Sequence, residues 1–389
     1  MICKLAMEDG TVFTGRGLGA TGTRAGEVVF NTSMMGYQEI LTDPSYCGQI
    51  VTMTFPMIGN YGVNPEDFES ARPFLSGFVV REACDRPSNY RSISTLAEAL
   101  QRFGVIGITG VDTRAITRRT RIHGALRGVI STEVLDDQEL VRMARAAAPM
   151  SGANLVDAVV VREVREWTEP LWHAPGGSIA SAPRDAARPA AGSHVVVIDC
   201  GIKSNILRWL REAGVKVTVV PADAPAGRIR ELKPTALLIG NGPGDPAAVT
   251  QTIQTLRELL GKVPALGICL GHQMVGLALR AETYKLRFGH HGGNQPVLNR
   301  PAGRVEITAQ NHGFAVDEQS LARVGGQVTH VNLNDGSVEG FVHPDRQVLC
   351  VQFHPEAGPG PNDAAYLFTR FVERVAAGRP IDADMLVAV

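Results

Sequence analysis

From residue 194 onward, short apolar runs alternate with amphipathic stretches. Residues 194–200 (H-V-V-V-I-D-C), 215–220, 236–239 and 264–269 are apolar segments of strand length. Between them, 204–213 carries Ile206, Leu207 and Leu210 at helical spacing, 249–260 places Ile253, Leu256 and Leu260 on one face, and 270–279 turns helical at once. Unbroken apolar strands interleaved with helices predict a parallel sheet covered on both faces. Residues 305–308 and 348–353 read as further strands. A last helix over 363–377 sets Leu367, Phe371 and Val375 at i, i+4 and i+8.

Before residue 174 the pattern is less regular. Residues 11–13, 27–30, 50–54 and 77–80 read as strands between glycine-rich turns, and 96–103 and 138–148 as helices. The stretch 174–193 (A-P-G-G-S-I-A-S-A-P-R-D-A-A-R-P-A-A-G-S) is small, proline-rich and aperiodic, as an exposed linker would be. The expectation is an α/β chain: a mixed β/α domain over 1–173, a linker over 174–193, and an open, mostly parallel sheet flanked by helices over 194–389.

Composition narrows the function classes. Lysine plus arginine is 38 and aspartate plus glutamate 39, a net charge of −1 that gives no general pull toward nucleic acid or an anionic membrane. No apolar stretch reaches the roughly 18 residues that span a bilayer, and acids stand where a secretory leader needs an apolar run. A cytoplasmic protein with reduced thiols is expected. The 6 cysteines include no C-x-x-C pair, which disfavours a zinc ribbon, a thioredoxin motif or a compact disulfide framework. The 42 glycines and 23 prolines exceed the usual share and predict tight turns and backbone-built sites.

Three strings carry candidate chemistry. G-I-C-L-G (267–271) has the G-x-nucleophile-x-G form at a predicted strand-to-helix junction. There a sharp turn would expose Cys269, the following helix N-terminus favours a thiolate, and the N–H of Leu270 points where an oxyanion would form. Alone, the string equally fits a buried structural cysteine. H-P-E (354–356) follows an apolar strand, and on an extended segment residues i and i+2 share a face. His354 and Glu356 would then supply the base a thiol nucleophile needs and the carboxylate that orients it. N-G-P-G-D-P (241–246) ends a strand at the sheet edge where open α/β folds bind ligands, and Gly242 could add a second oxyanion donor.

Other strings fail their context. Gly17, Gly19 and Gly22 spell G-x-G-x-x-G, but a strand-like run follows instead of a helix. No P-loop sequence occurs. His290 and His291 are adjacent, without the i, i+4 spacing of a helical metal pair, so a structural or loop role is expected and no metal. His343, in V-H-P-D, reads as loop. The basic run 117–121 reads as solvated surface.

G-I-C-L-G-H-Q, N-G-P-G-D-P and the distant H-P-E together resemble the class I (triad) glutamine amidotransferase family. G-E-V-V-F-N-T-S-M-M-G-Y-Q-E-I-L-T-D-P-S-Y (26–46), F-P-M-I-G-N-Y-G (55–62), F-G-H-H-G-G-N, A-Q-N-H-G-F-A-V-D and P-E-A-G-P-G-P resemble the small, glutamine-hydrolysing subunits of carbamoyl phosphate synthetases. The resemblance implies that Cys269 is the nucleophile, His354 the general base and acid, and Glu356 its orienter. It implies that L-glutamine is held by Ser45, Gly242, Gly244, Leu270, Gln273, Asn311, Gly313 and Phe314. It also implies ammonia delivery through a tunnel to a large subunit, which makes carbamoyl phosphate from bicarbonate and ATP for arginine and pyrimidine synthesis. No cofactor is then expected in this chain; ATP and its metal ions belong to the large subunit. The rivals are the amidotransferase subunit of another biosynthetic complex, a free-standing γ-glutamyl hydrolase, and a catalytically dead scaffold.

Overall fold

The computed structural model describes residues 1–173 and 192–387. The expected linker lies outside the described residues except for its last two positions.

Seven strands of the first part close into a barrel. Their order is Ile2–Met7, Val12–Gly19, Ile106–Thr109, Gly77–Val79, Gln49–Met53, Thr23–Asn31 and Leu126–Ser131, and the last pairs back to the first. Alternate residues such as Cys3, Leu5 and Met7 point one way and join Val28, Ile50, Val79, Ile108 and Ile130 in one buried cluster. The helix Leu96–Arg102 starts at a capping box between Thr95 and Glu98. Gly17 and Gly19 lie in a strand and Gly22 in the turn to the next, so the G-x-G-x-x-G string opens no helix. The basic run falls in a helix, Thr113–His123, that the sequence reading missed. Its buried residues are only Thr113, Ile116 and Thr120, a stripe too narrow and too polar to register as amphipathic.

The second part holds a ten-stranded sheet. At its centre Lys216–Pro221, His194–Asp199, Ala236–Ile239, Ala265–Ile268 and Val348–Val351 run parallel in that order. Val338–His343, Gln327–Asn332, Thr283–Asn299 and Arg304–Val316 extend one side antiparallel. Of that extension only 305–308, inside Arg304–Val316, was foreseen as a strand; much of the rest is too polar or glycine-rich to read as one. The extension also corrects the reading of His343, which ends a strand and meets the Val324 carbonyl at 3.0 Å. On the other side Arg165–Trp167 pairs antiparallel with Lys216–Pro221, so the chain has already joined the second sheet before residue 174.

Each face of the parallel core is covered. One face packs Ile206, Trp209, Leu367, Phe368 and Phe371. The other packs Ile253, Leu256, Met274 and Val275. No helix among the described residues is long and apolar enough to cross a membrane. The important consequence lies at the carboxyl ends of four adjacent parallel strands. There the chain delivers Lys203, the 241–246 loop, Cys269 and His354 to one edge, where open α/β sheets bind ligands.

Candidate active site

Cys269 sits between the strand Ala265–Ile268 and the helix Leu270–Ala278 with φ 55° and ψ −106°. This is the left-handed side of backbone space, which a non-glycine residue enters only under strain. The flanking glycines make the turn possible. A Cβ on Gly271 would stand 2.2 Å from the Ile239 carbonyl oxygen, and one on Gly267 2.8 Å from Cys350 Sγ. The side chain of Leu270 is buried in the core, so only its backbone N–H, without an intrahelical acceptor in the first turn, can serve a ligand.

His354 and Glu356 meet, but not on an extended segment. His354 makes an isolated bridge to Ala309, and the chain then turns, the Ala357 N–H donating to the His354 carbonyl at 3.2 Å. The turn brings Glu356 Oε1 to 2.6 Å from His354 Nδ1. Nε2 has no hydrogen-bond partner among the described residues. Burial works to lower the imidazole's pKa, but the Glu356 carboxylate and then the Cys269 thiolate outweigh it and hold it well above the ordinary value. The pair is therefore set up as a proton donor beside the Cys269 sulfur. Cys269 Sγ itself lies 3.6 Å from the Asn311 carbonyl oxygen.

Sequence reasoning missed Lys203. It is 2 % exposed, and its Nζ lies 2.9 Å from Glu356 Oε1 and 2.8 Å from the Ala357 carbonyl. Against burial, Lys203 first and His354 second hold the Glu356 carboxyl well below its usual range. A lone lysine after a strand carries no motif, so only the fold could reveal it. Glu69, from the first part, caps the helix that follows: Asn205 N–H donates to its Oε2 at 2.9 Å and Ser204 N–H to its carbonyl at 2.9 Å.

Burial raises Glu69 first, Lys203 lowers it less, and its pKa stands at about 7 against an ordinary 4.5. The folded protein thus keeps this proton where the unfolded chain has lost it. Stability falls as pH rises from about 4.5 to about 7, and the penalty is complete above that. Glu69→Gln should flatten this part of the profile. Thermal unfolding of both proteins between pH 4.5 and 8 checks it, and parallel profiles would rule it out.

Ser45, Gly242, Gly244, Cys269, Gln273, Asn311, Gly313 and Phe314 line one narrow cavity of about 30 Å³. Leu270 does not line it. Sequence reasoning did not name Glu27, Gln49, Met150, Pro243, His291 and His312, which line it too. Ser45 Oγ accepts from Asn241 Nδ2 at 2.9 Å, joining the barrel to the 241–246 loop. Asn311 offers the cavity its backbone, because its side chain is engaged with Asp43 and His291, both at 2.9 Å. Gln273 Nε2 is likewise committed, to the Phe314 carbonyl at 2.8 Å and to Gln352 at 2.9 Å, which leaves its Oε1 as an acceptor. Glu27, 2.7 Å from Lys285, brings an ion pair to the wall. The arrangement can bind a small zwitterion and present a carbonyl carbon to a thiolate.

Known proteins resemble the chain in both parts. A family profile described as carbamoyl-phosphate synthase small chain, CPSase domain, matches residues 5–130, and one described as glutamine amidotransferase class-I matches 196–374. The carbamoyl phosphate synthase small chain of Syntrophotalea carbinolica is 52% identical over 96% of this chain and 98% of its own length. That of Rhodopirellula baltica is 51% identical over 96% of each, and that of Archaeoglobus fulgidus 49% identical over 96% and 98%. Shared identity at this level over nearly the whole length, barrel included, means that the chain belongs to the carbamoyl phosphate synthase small chain family.

Proposed function

We propose that this chain is the glutaminase subunit of a carbamoyl phosphate synthase, hydrolysing L-glutamine and passing ammonia to a large subunit. The observation that carries the reading is the cavity at Cys269, whose walls come from both the barrel and the sheet. A stand-alone amidotransferase domain would not need Ser45 or Glu27. The match of residues 5–130 to a small-chain profile also disfavours the amidotransferase of another complex.

The Cys269 thiolate attacks the side-chain carbonyl carbon of glutamine. The N–H groups of Leu270 and Gly242 receive the oxyanion, a contribution worth about 10²–10³ in rate per donor in comparable sites. His354, held protonated by Glu356, gives its proton to the leaving nitrogen as the C–N bond breaks, releasing ammonia and leaving a γ-glutamyl thioester. His354 then takes a proton from water, whose oxygen attacks the thioester; glutamate leaves and the thiolate returns. Lys203 keeps Glu356 ionised. Glu27 and Lys285 suit the ammonium and carboxylate ends of the amino acid.

Two further cavities support an exit for ammonia. One of about 20 Å³ shares Asn311 with the first and adds His354, Asp43 and Lys203. It shares Gly358 and Pro359 with a third of about 470 Å³, which also reaches Glu356. ATP, its metal ions and the carbamoyl chemistry are assigned to the large subunit. The six unpaired cysteines suit the reducing cytoplasm.

Ammonia release from glutamine, measured with and without the large subunit, tests the reading. Slow turnover alone and faster turnover in the complex is expected; no complex at micromolar concentration would count against it. Ser45→Ala should raise KM several-fold with a smaller change in kcat, since Ser45 is a wall of the pocket and not a reacting group. An unchanged KM would remove Ser45 from the glutamine site.

A further inference from the structure

The antiparallel side of the second sheet buries a set of ligand-type side chains that carry no step of the glutaminase reaction, although one of them, His312, also lines the glutamine cavity. His290 and His312 are register partners across the hairpin of Thr283–Asn299 and Arg304–Val316, their rings 4.9 Å apart and nearly perpendicular. Glu339, from Val338–His343, is 0% exposed beside them. Its Oε1 is 3.3 Å from His290 Nδ1 and 4.0 Å from His312 Nε2, and the donor atoms of all three residues lie within 4.8 Å of one another.

The opposite nitrogens fix how these rings are protonated. His290 Nε2 is 2.9 Å from Asp335 Oδ2, and His312 Nδ1 is 2.8 Å from the Phe314 carbonyl. Both partners can only accept, so each ring places an N–H there; His312 then turns its lone pair inward, and His290 does so in its neutral form. Two imidazole lone pairs and a carboxylate then share one small volume. Gln310 Oε1, 3.2 Å from His312 Nε2, adds another acceptor. Among the described residues the protein offers one donor in return, Asn332 Nδ2, which is 2.9 Å from Glu339 Oε1 and a weaker 3.4 Å from His290 Nδ1. Glu339 Oε2 is shut off from solvent and has no hydrogen-bond partner among the described residues. A buried carboxylate left half-satisfied is costly, and a cation would relieve it.

We propose that His290 Nδ1, His312 Nε2 and the Glu339 carboxylate bind a divalent transition-metal ion, zinc being the best fit. Tetrahedral ligands about 2.0–2.1 Å from zinc stand about 3.4 Å from one another. The His290–Glu339 spacing already matches, the Glu339–His312 spacing must close by about half an ångström, and the two imidazole nitrogens start within 4.8 Å of each other. An imidazole backed by a carboxylate and another backed by a backbone carbonyl are the outer partners that orient metal-bound histidines. Gln310 Oε1 or a water completes the set. His312 lies between Asn311 and Gly313, so the ion would brace the strand behind the glutamine cavity without touching Cys269. The adjacency of His290 and His291 argued against a metal in the sequence. The partners of His290 in the proposed site come instead from two other strands.

The rival arrangement is a protonated His290 shared by Asp335 and Glu339 with no metal. To separate the two, the untagged full chain is purified from zinc-supplemented cells and its metal content measured. It is then stripped with chelator and titrated with cobalt(II), whose visible bands report tetrahedral nitrogen–oxygen coordination. About one zinc per chain and a saturable cobalt spectrum are expected, both falling at least tenfold in Glu339→Gln, a near-isosteric change, and in His290→Ala. Circular dichroism confirms that Glu339→Gln is folded. Wild-type protein that retains no zinc and gives no cobalt bands, or metal binding equal in Glu339→Gln, overturns the proposal and leaves the protonated His290.

Discussion

Cys269→Ser should abolish glutamine-dependent ammonia release, by about 10³-fold or more, since a serine hydroxyl beside His354 is a far weaker nucleophile than a thiolate. The same variant, assembled with the large subunit, should still support carbamoyl phosphate synthesis from added ammonia. The two assays belong together. Loss of both would mean that the substitution had disturbed folding or assembly, and loss of neither would remove Cys269 from the chemistry. The backbone argues that the fold tolerates the change. Serine replaces cysteine at φ 55° with no added bulk, in a turn whose steric demands fall on Gly267 and Gly271.

Gly242→Ala should cost about 10²-fold or more in kcat/KM for glutamine, through geometry alone. A Cβ there would stand 2.0 Å from the Cys200 carbonyl oxygen and 2.9 Å from Leu270 Cδ2. Backbone cannot yield by an ångström without moving the loop, and the loop carries both the Gly242 N–H and the Asn241 side chain that holds Ser45. The natural control is Gly227→Ala. It lies in the helix Ala226–Glu231, and its added methyl would meet nothing nearer than 4.0 Å. That change should leave activity intact and keep or slightly raise thermal stability. Steady-state kinetics and thermal melts of the two variants check the pair; an active Gly242→Ala enzyme would exclude this loop from oxyanion binding.

Both predictions rest on residues the sequence made visible, and the reason is locality. The strand, the turn and the helix around Cys269 are contiguous, so the glycines, the thiol and the helix start are written within a few positions. The same holds for 241–246. What stayed hidden was assembled across distance. Lys203 reaches Glu356 across 153 residues of sequence, Glu69 reaches Asn205 across 136, and neither belongs to a string. His290, His312 and Glu339 meet because three strands fold together, two of them too polar and glycine-rich to read as strands. The barrel was only partly legible. Its strands are short, several pair in parallel with distant partners, and nothing in period-two alternation says that a sheet closes on itself. The H-P-E reading expected His354 and Glu356 to meet, and they do, but across a turn and not along an extended segment.

The closure of that barrel bears on how another chain could attach to the first part of the molecule. Every barrel strand is flanked on both sides by its own neighbours, so no backbone edge is left for an incoming strand to extend. Recognition at the barrel is then left to side chains and loop tips, which single substitutions can retune without disturbing the scaffold; the short pair Met57–Ile58 and Glu82–Ala83 lies outside the barrel. The barrel can therefore keep a rigid wall against the glutamine cavity while its outer surface changes to follow a partner. The two tasks are mechanically insulated by the same ring of hydrogen bonds.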